Sequence, residues 1–331
     1  MKDLLKLIFI CFLSISMISC SHSKGDQGSE AEAMPQTWAE KLGYPAGKKV
    51  IILHADDAGM CPEANEATMN YLNNDFIQSA AAMPPCPNFD EFIAWAKESS
   101  KEDIGLHLTL TSEWKTHRWG PVSNPKDVPS LLDPQGMLWP EVPDVVRHAA
   151  LEDVEKEIRA QIEKSIALGY RPNHIDTHMG TLYGHKDYVN VFFKVAEEYN
   201  IPANVIDLNK PHIVEKFRRG GYPIDEDIIA LANDYSLPKL DDFTSAPNAD
   251  TYEEKVEKFK ALVRSLDPGI TEIIFHPSTD TENLKTITNS WKQRVWEAKM
   301  FGDPDLIQFF EEEGIIFTNW KEVMGRFESL N

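Results

Sequence analysis

The 331-residue chain is 42% hydrophobic and 26% charged, with eight tryptophans, a composition that supports one large folded α/β domain or two ordinary ones. Its 53 acidic residues outnumber 33 basic ones, for a formal net charge of -20. That balance argues against nucleic acid or anionic lipid as the main partner, because no basic run is present to neutralise phosphates; neutral substrates and cations stay open.

The first residues are read as a leader rather than as part of the fold. "MKDLLK" gives a short basic start, and "LIFICFLSISMIS" is apolar but too short to span a membrane as a permanent helix. The ending "MISC" is similar to a lipobox, in which residues 1–19 are the signal peptide and Cys20 becomes the lipid-bearing N-terminus; a plain cleaved signal is the alternative. On this reading the protein is exported to the periplasm or cell surface and touches a membrane only through Cys20. "SHSKGDQGSEAEAMPQ" is small and polar, so residues 20–37 are expected to be a flexible tether, with a single domain over 38–331. Cys61 and Cys86 are the cysteines left after the leader and its lipid-bearing Cys20. An exported pair could bond, but two free, buried thiols are the expected state.

From Lys48 onward, short apolar runs alternate with amphipathic segments. "VIILHA" reads as a buried strand, and "CPEANEATMNYLNN" as a helix with Pro62 near its start. "SAAAMP" is a weaker strand, "NFDEFIAWAKES" a helix, and "DIGLHLTL" a strand that runs into an irregular Trp- and Pro-rich stretch, 111–143. In "LEDVEKEIRAQIEKSIALG", Val154, Ile158, Ile162 and Ile166 recur every four residues on one helical face, and Gly169 ends it. "NHIDTH" is a strand, "KDYVNVFFKVAEEYN" a helix and "ANVIDL" a strand; residues 209–250 are less regular. "TYEEKVEKFKALVRSL" is a helix, "EIIFHPS" a strand, "DPDLIQFFEEEG" a helix, and "IIFTNW" the last strand. Seven strands mostly separated by helices predict a parallel sheet, open or closed into a barrel.

Four of these strands end in histidine or aspartate: His54, Asp56 and Asp57; His107; His174, Asp176 and His178 at alternate positions; and His276. Each alone has an ordinary explanation, as a hydrogen-bonded core histidine, a turn residue or a helix cap. In parallel α/β folds, however, C-terminal strand ends converge on one rim, and a shared site accounts for all four. Imidazole and carboxylate together suit zinc or another first-row divalent ion with positions left for water and substrate. A neighbouring aspartate could take a proton from water and a further histidine could give one to a leaving amine. No phosphate loop or dinucleotide fingerprint is present, and Ser278 lacks a nucleophile elbow.

"HADDAG", "GLHLTLT", "HIDTHMGTL" and "IIFHPS", in this order, resemble the YdjC/ChbG-type carbohydrate deacetylases (chitooligosaccharide deacetylase-like), which are similar in chemistry to the NodB-type enzymes. The resemblance covers nearly all of residues 48–325, including "WKQRVWEAKMF", whose Gln293-Arg294 pair is similar to the family's late helix motif. It implies a deformed (β/α) barrel of about seven mostly parallel strands and a metal-dependent hydrolase that removes acetyl groups from N-acetylated sugars or oligosaccharides. Carried over by position, Asp57, His107 and His178 would hold one divalent metal ion, zinc or magnesium. Asp56 would be the catalytic base and His276 the general acid or transition-state stabiliser. The chain departs from the family pattern at Gly180 and Leu182, where further histidines are frequent, at His54 in place of asparagine, and at Ala58 in place of an aromatic. The departures put the sugar in question more than the reaction.

Trp114, Arg118, Trp119 and Trp139 in the 111–143 stretch, together with Arg294, are candidate substrate contacts, since aromatic faces stack on sugar rings; the alternative is that they pack the loop. Two competing functions are a non-catalytic surface glycan-binding lipoprotein and a hydrolase using the same metal on another amide or ester. A binder needs aromatics but no base and acid, so the Asp56/His276 pair favours an enzyme.

Overall fold

In this computed structural model, residues 36–99 and 103–330 are described, and they belong to one compact unit. The expected signal peptide and Cys20 lie outside the described residues. The Thr37 side chain accepts from the Glu40 N–H while Glu40 reaches back, a capping box that starts the short helix Trp38–Lys41.

Seven strands form one sheet: β1 (Lys49–Ala58), β2 (Ser79–Ala82), β3 (Ile104–Leu108), β4 (Ile175–Thr177), β5 (Asp242–Ser245), β6 (Gly269–Phe275) and β7 (Ile316–Phe317). Their order is β4-β3-β2-β1-β6-β5, with β7 against the start of β1, and every pairing is parallel. Parallel neighbours need long crossovers, and helices supply most of them. The sheet curls, and the gap between its edges β4 and β5 is bridged by the chain at 203–206: Ile175 pairs with Ala203 and Ile206 with Leu240. A deformed barrel of parallel staves results.

The expected fifth strand, "ANVIDL", is this bridging piece and not a ladder. The Val205 N–H bonds to the Ala203 carbonyl at 2.7 Å, a three-residue turn that withdraws the backbone from regular pairing. The fifth strand is instead "DFTS", a half-buried edge strand with no apolar run to announce it. The 209–250 stretch also contains two helices, Pro211–Arg219 and Glu226–Asp234, that the sequence reading left irregular. "IIFTNW" yields only the two residues of β7, because Trp320 opens a final helix to Leu330.

Alternation along β1 divides the molecule. Ile51, Leu53 and Ala55 pack outward in the large core under the helices, while Val50 and Ile52 face a second cluster with Tyr44, Leu240, Ile270 and Trp320. On that inner face the next two alternate residues are His54 and Asp56. The barrel interior therefore changes from an apolar floor to a polar rim along one strand.

Candidate active site

Adjacent residues of a regular strand point to opposite faces, so Asp56 and Asp57 should not both reach a rim site. The β1–β2 register resolves this. Ala55 pairs with Ala80 and Ala58 with Ala82, so β1 carries one extra residue, a bulge, and Asp57 takes a left-handed backbone with φ 64°. Both carboxylates thereby line the same cavity, with His107, His178, His276 and Arg294. His107 comes from β3, directly opposite Asp176 of β4 in the register. His178 heads the tight turn that follows β4, and His276 follows β6. His276 is fixed by its N–H, which donates to Glu297 Oε2 at 2.8 Å; Glu297 is in turn paired at 2.8 Å with the buried Lys255.

Three atoms converge. Asp57 Oδ1 lies 3.6 Å from His107 Nε2 and 3.4 Å from His178 Nδ1. The other nitrogen of each ring is held by a carboxylate: Asp176 Oδ1 is 2.6 Å from His107 Nδ1, and Glu113 Oε2 is 3.1 Å from His178 Nε2. Carboxylates behind imidazoles fix the ring and its tautomer, as the outer partners of metal-ligating histidines do. Asp57 Oδ1 is buried without a hydrogen-bond partner, whereas Oδ2 accepts from Arg294 Nη2 at 2.7 Å. A divalent ion fits this set of donors. Asp56 stands beside it, with Oδ2 3.9 Å from His107 Nε2 and 3.8 Å from His276 Nε2.

The electrostatics favour a cation. Burial works against an ionised Asp57, but Arg294, His178 and His276 outweigh it and hold its carboxyl well below the usual range. Burial likewise opposes a charged His178, yet Glu113 and Asp57 push it up to about 10. His107 is raised too: burial is overcome by Asp176 and Asp56. Both rings face carboxylates that favour positive charge there, and a divalent ion would supply it.

Of the other candidate residues, only Arg294 lines the cavity. Trp114 is half-buried beneath the Arg294 guanidinium, 5.6 Å from its ring centre. Arg118 bonds to Asp133 and the Leu138 carbonyl, both at 2.7 Å. Trp119 is buried with its indole N–H on the Thr111 carbonyl, and Trp139 stacks on His148 at 4.3 Å. The loop uses these three to pack itself. Glu113, the neighbour of Trp114, is the residue of this loop that reaches the cavity, and sequence reasoning missed it. An acidic side chain five residues past a strand end was its one signal.

An α/β barrel with an Asp-His-His cluster and an Asp/His pair at its rim is the architecture of a hydrolase site. The profile of YdjC-like proteins matches residues 50–312, and the chain belongs to that family. Its relatives include proteins named carbohydrate deacetylase from Thermoanaerobacter pseudethanolicus, 26% identical over 82% of this chain and 98% of that one, and from Brevibacillus brevis, 27% identical over 82% and 99%. The crystal structure of a proposed cellobiose-phosphate cleavage protein from Enterococcus faecalis V583 has the same fold. Its TM-score is 0.69 at 24% identity, covering 84% of this chain and 99% of that chain.

Proposed function

We propose that this protein is a metal-dependent carbohydrate deacetylase that hydrolyses the acetamide of an N-acetylated sugar or oligosaccharide. The observation that carries this is the convergence of Asp57 Oδ1, His107 Nε2 and His178 Nδ1 beside the Asp56/His276 pair. The family relatives named for this activity support it. A divalent ion held by the three residues would supply Lewis acidity toward the carbonyl and toward water.

The chain's own groups perform the proton work. Asp56 accepts a proton from the attacking water as its oxygen bonds to the carbonyl carbon. The C–N bond breaks, and His276 gives a proton to the departing nitrogen, leaving acetate and the free amino sugar. Arg294 keeps Asp57 ionised, while Asp176 and Glu113 hold the two rings in place. With the leader and Cys20 pattern, the enzyme would work outside the cytoplasm on a lipid tether.

Acetate release from N- and O-acetylated oligosaccharides, by protein stripped of metal and repleted with zinc, cobalt, nickel or magnesium, tests the proposal. Release that needs metal and is lost in Asp56→Asn is the expected result. A tightly bound metal with no release from any glycan would overturn it.

A further inference from the structure

The cavity is larger than an acetyl group requires, and its lining divides into a polar cluster and an apolar wall. Its volume is about 390 Å³. One end is the Asp56, Asp57, His107 and His178 cluster; beyond it the walls are Phe193, Phe217, Tyr222, Ile224, Ile228 and Phe243. Most of these come from the helices and loop of 211–234, where Ile228 and Ala232 are buried lining residues. The aromatic wall is continuous: Tyr183 lies 6.2 Å from Phe193 and 6.4 Å from Tyr222, and Tyr222 lies 5.9 Å from Phe217.

We propose that this apolar wall holds an acyl chain, so that the same centre also hydrolyses, and prefers, amino sugars N-acylated with a group several carbons longer than acetyl. The inference rests on the deacetylase reading of the same centre and extends it to the other side of the carbonyl. A sugar ring placed against this wall would strip water from its hydroxyls, and Asn204, whose Oδ1 is buried without a partner, and the Tyr222 hydroxyl are the polar groups that this part of the lining offers it. The Tyr183 hydroxyl is already taken by the Asn204 carbonyl at 3.0 Å. A methyl group, about the ~30 Å³ of one water, would leave most of the apolar space empty. The exposed side lies at His276 and Met179, where the sugar would stand.

Gly180 is what allows this wall. Its φ is 63°, and a Cβ there would come 2.9 Å from the Tyr222 hydroxyl. Any larger residue displaces Tyr222 from over the turn that carries His178. The absence of a side chain at position 180 and the presence of the aromatic wall are one feature.

The test is the zinc-loaded full-length protein on N-acetyl-, N-butyryl-, N-hexanoyl- and N-octanoylglucosamine, with both free amine and released carboxylate measured. In each reaction water adds its oxygen to the acyl carbon, the C–N bond breaks, and the amine takes the proton. kcat/KM should rise about fourfold per buried methylene as far as hexanoyl. A rate highest on acetyl and falling with length overturns the acyl pocket while leaving the deacetylase reading intact. Turnover of none of them removes the hydrolase reading, and calorimetric binding then decides the pocket. Tighter N-hexanoylglucosamine than N-acetylglucosamine, with a negative heat-capacity change, supports it, and equal affinity overturns it. Ala232→Phe, or Ile224→Phe should the first not fold, should lower the hexanoyl-to-acetyl ratio at least tenfold. An unchanged ratio in a folded variant counts against the pocket.

Discussion

The barrel contains two clusters of histidine and carboxylate, one at the rim and one beneath it. Below, His54 lies 3.0 Å from Asp176, His174 lies 3.7 Å from Asp103 and stacks on Trp320 at 5.7 Å, and Glu272 accepts from the Trp320 indole at 2.7 Å. By distance alone the lower group could also hold a cation: His54, His174 and Asp176, like Asp57, His107 and His178, bring one ligand atom each within 4.8 Å of one another. The two differ in surroundings. The rim set opens on the cavity, and His54, His174, Asp103 and Glu272 do not line it. The His174 ring presses so closely on β3 that a Cβ at Gly105 would stand 2.2 Å from it. Residue type makes a cluster, and access makes it a site.

Substitutions can sharpen this contrast. The largest effect is expected at the rim: Asp57→Ala or His178→Ala should abolish stoichiometric divalent-metal binding and lower kcat/KM by more than the ~10–100-fold that loss of an outer partner costs. Metal analysis beside acetate release checks it, and full activity in either variant would remove these residues from the centre. Asp176→Asn, which belongs to both clusters, should fall within that ~10–100-fold range in metal affinity, because the His107 ring loses its carboxylate. Competition with a chelator measures this. Trp320→Phe should act on the floor alone, destabilising by ~1–3 kcal/mol as Glu272 loses its donor, with metal affinity unchanged. Denaturant unfolding and metal titration separate the two outcomes.

The smallest effect is one of pH. Burial drives the Glu272 carboxyl up; His54 opposes and Asp176 and Asp56 reinforce, and it comes to about 7 from 4.5. The folded state then binds this proton more tightly than the unfolded chain. Its contribution is complete below about 4.5 and is lost as pH rises toward about 7. Glu272→Gln should flatten the decline of melting temperature across that window; an equal decline in both proteins would mean the floor cluster is not titrating.

Much of the rim was legible because strand alternation and C-terminal strand ends are periodic features. His107, Asp176 and His178 could be placed together on those grounds. The bulge at Asp57 could not, since an extra residue in a strand leaves no compositional mark. The loop tryptophans could be read either way from sequence for a related reason. An indole is equally suited to a sugar face and to a loop interior, and here Trp119 and Trp139 find backbone carbonyls within the loop. Conversely, the cavity wall from 211–234 was hidden because Phe217, Tyr222 and Ile228 are spread over two short helices and the loop between them, with Pro211 and Gly220 interrupting the pattern.

The left-handed backbone at Asp57 has a consequence for how this protein can change. Glycine takes that conformation freely and asparagine readily, while most other residues are strained in it. The replacements the fold tolerates best at position 57 are therefore ones that surrender a charged oxygen toward the cation. Inactive descendants that keep this backbone turn lie one substitution away, but each leaves the buried Arg294 guanidinium without its carboxylate, so the charge at position 57 is held by the fold as well as by the site.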